Sequence, residues 1–178
     1  VAAIFRVLHD RGFQYSNITS NSGVDEGDMS SQSIRTFENA IKTNQANCVD
    51  GTVVFASILK KIGITPLIIT KPGHCYLGFY TTDEDNSEPN FLETTAISED
   101  NYIKNSKKYA LEYKDILRSF LPKNVKLDEK NKGYYLQFLD ARQYATTEHF
   151  NAIKDNKKVN LYNVVEWRKQ IRPIPFYN

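Results

Sequence analysis

The chain has 178 residues, 40% hydrophobic and 12% aromatic, enough to enclose a substantial core within one domain. Its 23 basic and 21 acidic residues leave a formal net charge of +2, which gives no charge argument for a nucleic-acid or membrane-surface partner. No apolar run reaches the length of a membrane span and no signal peptide is visible; the start at Val1 rather than Met reads as a trimmed or processed product.

In chain order, residues 2–10 (AAIFRVLHD) place Ile4, Phe5, Val7 and Leu8 on a helical face, with Gly12 just beyond. Phe13, Tyr15 and Ile18 predict a short extended piece. Residues 19–31 form a polar loop rich in Ser, Asn, Gly and Asp, and Asn17-Ile18-Thr19 fits the N-glycosylation pattern. The stretch SQSIRTFENAIKTNQA predicts an amphipathic helix carrying Ile34, Phe37, Ala40 and Ile41. NCVDGTVVFASILKKIG (47–63) follows, with Asn47 as N-cap and Gly63 as stop. It is apolar on nearly every side, the mark of a central, buried helix. Its β-branched residues suit a strand, but its length and its two caps favour the helix.

The hydrophobic period then changes. Residues 65–71, 74–82 and 90–96 are rich in aromatic and β-branched residues, separated by Pro72-Gly73 and the acidic loop DEDNSEPN. They predict three antiparallel strands. Beyond residue 100 the chain is polar and lysine-rich. It predicts a helix near 106–120, an extended GYYLQFLD at 133–140, a helix near 160–170 and an extended tail, IRPIPFYN. No repeat or linker divides residues 1–178, so the expectation is one α+β domain.

Three polar residues stand at the edges of the helix-and-strands unit. Cys48 opens the helix, His74 the second strand, and Glu93 lies on the third. Cysteine, histidine and carboxylate on rigid elements are the parts of a thiol acyl-transfer site. A free thiol has a pKa of about 8.5, so little is thiolate at neutral pH. The unpaired N–H groups of a helix N-terminus favour the thiolate. An imidazole can take the thiol proton and later return it to a leaving group, and a carboxylate behind it fixes its tautomer. Asp50 opposes the thiolate slightly.

Each residue also has a structural reading: packing for the cysteine, a strand start for the histidine, a solvent-facing position for the glutamate. Cys48 and Cys75 are the only cysteines, too few for a disulfide framework, and they leave the redox compartment open. Strand alternation predicts that Cys75 faces away from Cys48 as core filler if His74 faces it. Cys48, His74 and Glu93 also admit a reading as a zinc site, but no element carries two ligands at short spacing. No cofactor or metal is expected.

The run NCVDGTVVFASILKKIGITPLIITKPGHCYLGFY followed by FLETT resembles the transglutaminase-like superfamily of papain-type thiol enzymes, and more narrowly its bacterial transglutaminase-like domains. SQSIRTFENAI (31–41) is similar to the stretch that precedes the cysteine there. The resemblance covers about residues 13–96 and leaves about 100–178 as a C-terminal extension. It implies a papain-like core in which a cysteine-bearing central helix packs on an antiparallel sheet. It also implies Cys48 as nucleophile, His74 as base and Glu93 where the family usually has aspartate. An oxyanion site would use the Cys48 N–H and a side-chain amide from Gln32, Gln45 or Asn47, with Gln32 preferred because it belongs to the resembling stretch.

The expected function is thiol-dependent acyl transfer on protein or peptide amides. That means a cysteine peptidase or amidase, or a transglutaminase if the acceptor is an amine. The alternative is a protein- or glycan-binding module with little turnover. The resembling domains imply an extracytoplasmic setting, periplasmic or at the surface of a bacterium. Oligomeric state is not indicated.

Overall fold

The computed structural model describes residues 1–16, 34–82, 87–120 and 126–172. The loop at 19–31, the Asn17-Ile18-Thr19 pattern, Gln32, the first half of the acidic loop and the tail from residue 173 lie outside the described residues.

Helix α1 (Ala2–Asp10) buries Phe5 and Leu8, one helical turn apart, while Val7 lies off that stripe and is exposed. Strand β1 (Gln14–Tyr15) follows Phe13, which is buried. Helix α2 (Phe37–Thr43) is shorter than its apolar spacing predicts. Thr36 caps it by accepting the Asn39 N–H, so Ile34 falls before the helix and is exposed. Strand β2 (Gln45–Ala46) pairs in parallel with β1.

Helix α3 (Cys48–Lys61) has the predicted bounds. Asn47 and Asp50 close a capping box at its start, and Gly63, at φ +82°, takes the left-handed conformation that ends it. Three antiparallel strands follow: β3 (Pro66–Lys71), β4 (His74–Phe79) and β5 (Asn90–Leu92). The third strand does not run to residue 96. Glu93 accepts the Thr95 N–H on its own side chain, and the chain turns into a 3₁₀ segment, Thr95–Ser98.

The C-terminal half departs further from the periodicity. The helix at 106–120 is two, α5 (Ser106–Glu112) and α6 (Lys114–Phe120), preceded by a single turn, α4 (Asn101–Lys104). GYYLQFLD is not extended; it lies inside α7 (Glu129–Lys154), a helix of 26 residues. Its aromatic residues suit a strand, but Tyr134, Phe138, Ala141, Ala145, His149 and Ala152 recur at intervals of three and four and bury one helical face. Residues 160–170 begin as strand β6 (Asn160–Asn163), and Asn163 then caps α8 (Val164–Gln170).

The fold is α+β. Its main sheet is antiparallel, in the order β5-β4-β3-β6. Alternation sorts its side chains between two helices. Leu77, Phe79 and Leu92 join Val54, Phe55 and Leu59 of α3 in the larger core, while Tyr76, Phe91, Leu67 and Ile69 pack with Ala145 of α7. The stretch beyond residue 100 is therefore part of the same body, supplying an edge strand and the second covering helix. No helix among the described residues is long and apolar enough to cross a membrane.

Candidate active site

The site begins with the end of α3. The Asn47 side-chain Oδ1 accepts the N–H groups of Val49 (2.9 Å) and Asp50 (2.8 Å), and Asp50 Oδ2 accepts the Asn47 N–H at 3.2 Å. This box pairs three of the four free N–H groups of the first turn. The fourth belongs to Cys48 and has no partner among the described residues. The Asp50 carboxylate, fully buried, also accepts the Arg35 N–H (2.8 Å) and Arg35 Nη1 (2.9 Å). The opposing charge expected from Asp50 is thus matched by a guanidinium, which no pattern in the sequence announced.

His74 starts β4, and Glu93 lies directly after β5, its neighbouring strand. His74 Nε2 donates to Glu93 Oε2 at 2.6 Å. The other carboxylate oxygen, Oε1, accepts from the Thr95 N–H (3.0 Å) and the Thr95 hydroxyl (2.7 Å). Glu93 is a buried residue, not the solvent-facing one its strand position suggests. Its own backbone N–H donates to Ala141 O of α7 at 3.1 Å, so the main chain is held as well as the carboxylate. With Nε2 occupied, Nδ1 is the ring nitrogen left to face the Cys48 thiol, and the two groups shift each other's pKa.

The electrostatics follow from these contacts. The hydrogen bond from His74 is the main reason the Cys48 pKa falls below the ordinary thiol value; burial opposes it, and the Cys75 N–H and the imidazolium charge add to it. His74 is pushed up to about 9, first by Cys48 and then by Glu93, against its own burial. Burial pushes the Glu93 carboxyl up, but His74 and Thr95 outweigh it and leave the group below its usual range. Between the lowered thiol pKa and about 9, the pair is thiolate and imidazolium.

Gly51, one turn after Cys48, lets α3 approach the Glu93 segment. A Cβ there would stand 2.9 Å from Thr94 Oγ1. Cys75 is placed differently from the alternation argument: Thr52 of α3 is among the groups that act on its thiol, so it faces that helix rather than turning from it. Both cysteines are nevertheless free, and burial pushes the Cys75 thiol up to about 11.

A cleft of about 500 Å³ opens beside His74 and Glu93, lined also by Lys71, Asp140 and Tyr144; Cys48 is not among its lining residues. Lys71 and Glu148, also in its wall, form an ion pair at 2.6 Å. None of the α7 residues in this wall carries a sequence signal, because the register of a distant helix against a sheet is a tertiary property. Of the three oxyanion candidates, Gln32 lies outside the described residues, Gln45 is exposed on β2, and Asn47 is buried beside the nucleophile. No group of three His, Cys, Asp or Glu side chains among the described residues is placed to hold a metal. Set against known proteins, the chain matches no family model, no curated protein and no solved structure.

Proposed function

We propose that the chain is a transglutaminase-like thiol enzyme of papain type that transfers the acyl group of a protein or peptide amide, with water as the favoured acceptor. The observation that carries this reading is one alignment. A carboxylate clamped by Thr95 bonds His74, and His74 meets a cysteine thiol at the first position of a 14-residue helix.

Each residue then has a step. The Cys48 thiolate attacks the amide carbonyl carbon, and the electrons of its double bond move onto oxygen. His74, protonated at Nδ1, gives that proton to the departing amine as the C–N bond breaks, leaving a thioester. Neutral His74 takes a proton from water, which attacks the thioester; the acid departs and the thiolate–imidazolium pair returns. Glu93 holds the ring through Nε2 and stabilises its charged form throughout. With an amine in place of water, the same cycle forms a new amide.

The test is iodoacetamide alkylation across pH, resolved by site with mass spectrometry, on the wild type and His74→Ala. A Cys48 that reacts well below pH 7, and loses that reactivity without His74, supports the enzyme; a panel of peptide amides then finds the substrate. A Cys48 that titrates near about 8.5 sinks it and favours a binding module.

A further inference from the structure

We propose that Asn47 does two jobs at the head of α3: its Oδ1 caps the helix, and its Nδ2 is the second donor of the oxyanion site, beside the Cys48 N–H. The assignment rests on the thiol acyl-transfer reading above.

Two N–H donors at this helix end lack partners among the described residues. One is the Cys48 backbone N–H, the only first-turn group the capping box leaves unpaired. The other is Asn47 Nδ2, which is buried, on a residue only 3% exposed. Native structures pair roughly 90% or more of buried polar groups, so an unpaired buried amide next to a nucleophile calls for an explanation. The amide's orientation is not arbitrary. Its oxygen is identified by two N–H groups that donate to it, from Val49 and Asp50. Nδ2 shares the same carbon and sits about 2.3 Å from that oxygen, as amide bond lengths require. It therefore lies within the same first turn that Cys48 opens, buried beside the capping oxygen.

Donors held without a ground-state partner are what a developing oxyanion needs, because no bond must be broken to receive the charge. Asn47 is held by its own capping bonds, so the donor is fixed before substrate arrives. Gln45 lacks this placement, being exposed on β2.

The test compares two reactions of Cys48 that differ in whether an oxyanion forms. Acylation by p-nitrophenyl acetate passes through a tetrahedral oxyanion; alkylation by iodoacetamide displaces iodide and does not. Asn47→Ser and Asn47→Asp both keep an oxygen that can cap, so the helix end is retained. Both rates are measured at matched thiolate fraction, set from the alkylation pH profile, because the Asp variant adds a charge. The expected result is alkylation within about twofold of wild type and acylation slower by about 10²-fold, the loss typical of one oxyanion donor. Acylation that falls no further than alkylation, in both variants, overturns the assignment and leaves Asn47 a cap. A wild type that neither acylates nor alkylates at low pH overturns the thiol acyl-transfer reading itself, and this assignment with it.

Discussion

His74 Nε2 and Glu93 Oε2 stand 2.6 Å apart across two neighbouring strands of the sheet. The extra methylene of glutamate over aspartate is accommodated because Glu93 lies past the end of β5, where Thr95 holds the carboxylate's other oxygen. The pair thus has one bond aimed at the imidazole and two that fix the carboxylate.

Removing the carboxylate's charge should disarm the thiol by way of the histidine. In Glu93→Gln the midpoint of Cys48 alkylation moves up, and in His74→Ala it moves further, to the ordinary thiol range of about 8.5. Each unit of upward movement lowers the thiolate fraction at neutral pH about tenfold. Cys75, 2% exposed, should label only after unfolding, which makes it the internal control. A Glu93→Gln profile that overlays the wild type would show that the carboxylate does not act on this pair.

The two reactions of Cys48 should also part company at high pH. Alkylation needs only the thiolate and stays high. Amide cleavage needs the imidazolium proton for the leaving amine, so it falls as pH rises through about 9, where His74 loses that proton. A cleavage rate flat from pH 8 to 10.5 would exclude His74 as the acid.

Glu93 also links stability to acid. Its folded pKa is lowered, so its contribution is fully present above the unfolded value, 4.5, and is lost as pH falls through the folded one. The difference in thermal midpoint between wild type and Glu93→Gln should be constant at neutral pH and shrink towards zero on acidification. Melting curves at half-unit steps from pH 7 to 2.5 measure it, and a difference that grows in acid contradicts the sign.

Asp50 and Arg35 form a part-buried ion pair at the foot of the site, their side chains 0% and 20% exposed. Asp50→Ala strands the guanidinium and two N–H groups, and should lower unfolding free energy by about 3–5 kcal/mol in urea titration. Arg35→Ala leaves the carboxylate without its guanidinium and should fall within the same range or just below. A loss under about 1 kcal/mol in both would make the pair no more than a surface salt bridge.

A Cβ at Gly51 on α3 would stand 2.9 Å from Thr94 Oγ1 in the segment after β5. Gly51→Val places a branched side chain against Thr94 and should destabilise by about 1–3 kcal/mol. Because the displaced segment carries Glu93, low-pH alkylation of Cys48 should weaken as well. Normal alkylation in a destabilised Gly51→Val would separate packing here from the dyad.

The central helix, its two ends, the antiparallel strands and the three polar residues were all legible in the sequence. Those features depend on neighbours in the chain: Asn47 and Gly63 cap their own helix, and β-branched runs between turn residues make strands wherever they pack. GYYLQFLD reads wrongly for the same reason, since local aromatic content says strand while a buried face spread over about five turns says helix. Only the tertiary structure decided which face of the sheet α7 covers, that residues 160–163 close the sheet's other edge, and that Arg35 balances Asp50. It also decided that Glu93 is buried and bonded to His74. Each of these pairs groups far apart in the chain whose energies exist only on contact: a carboxylate's burial is tolerable once its partners are in place, and a strand's edge is a strand's edge until another pairs with it.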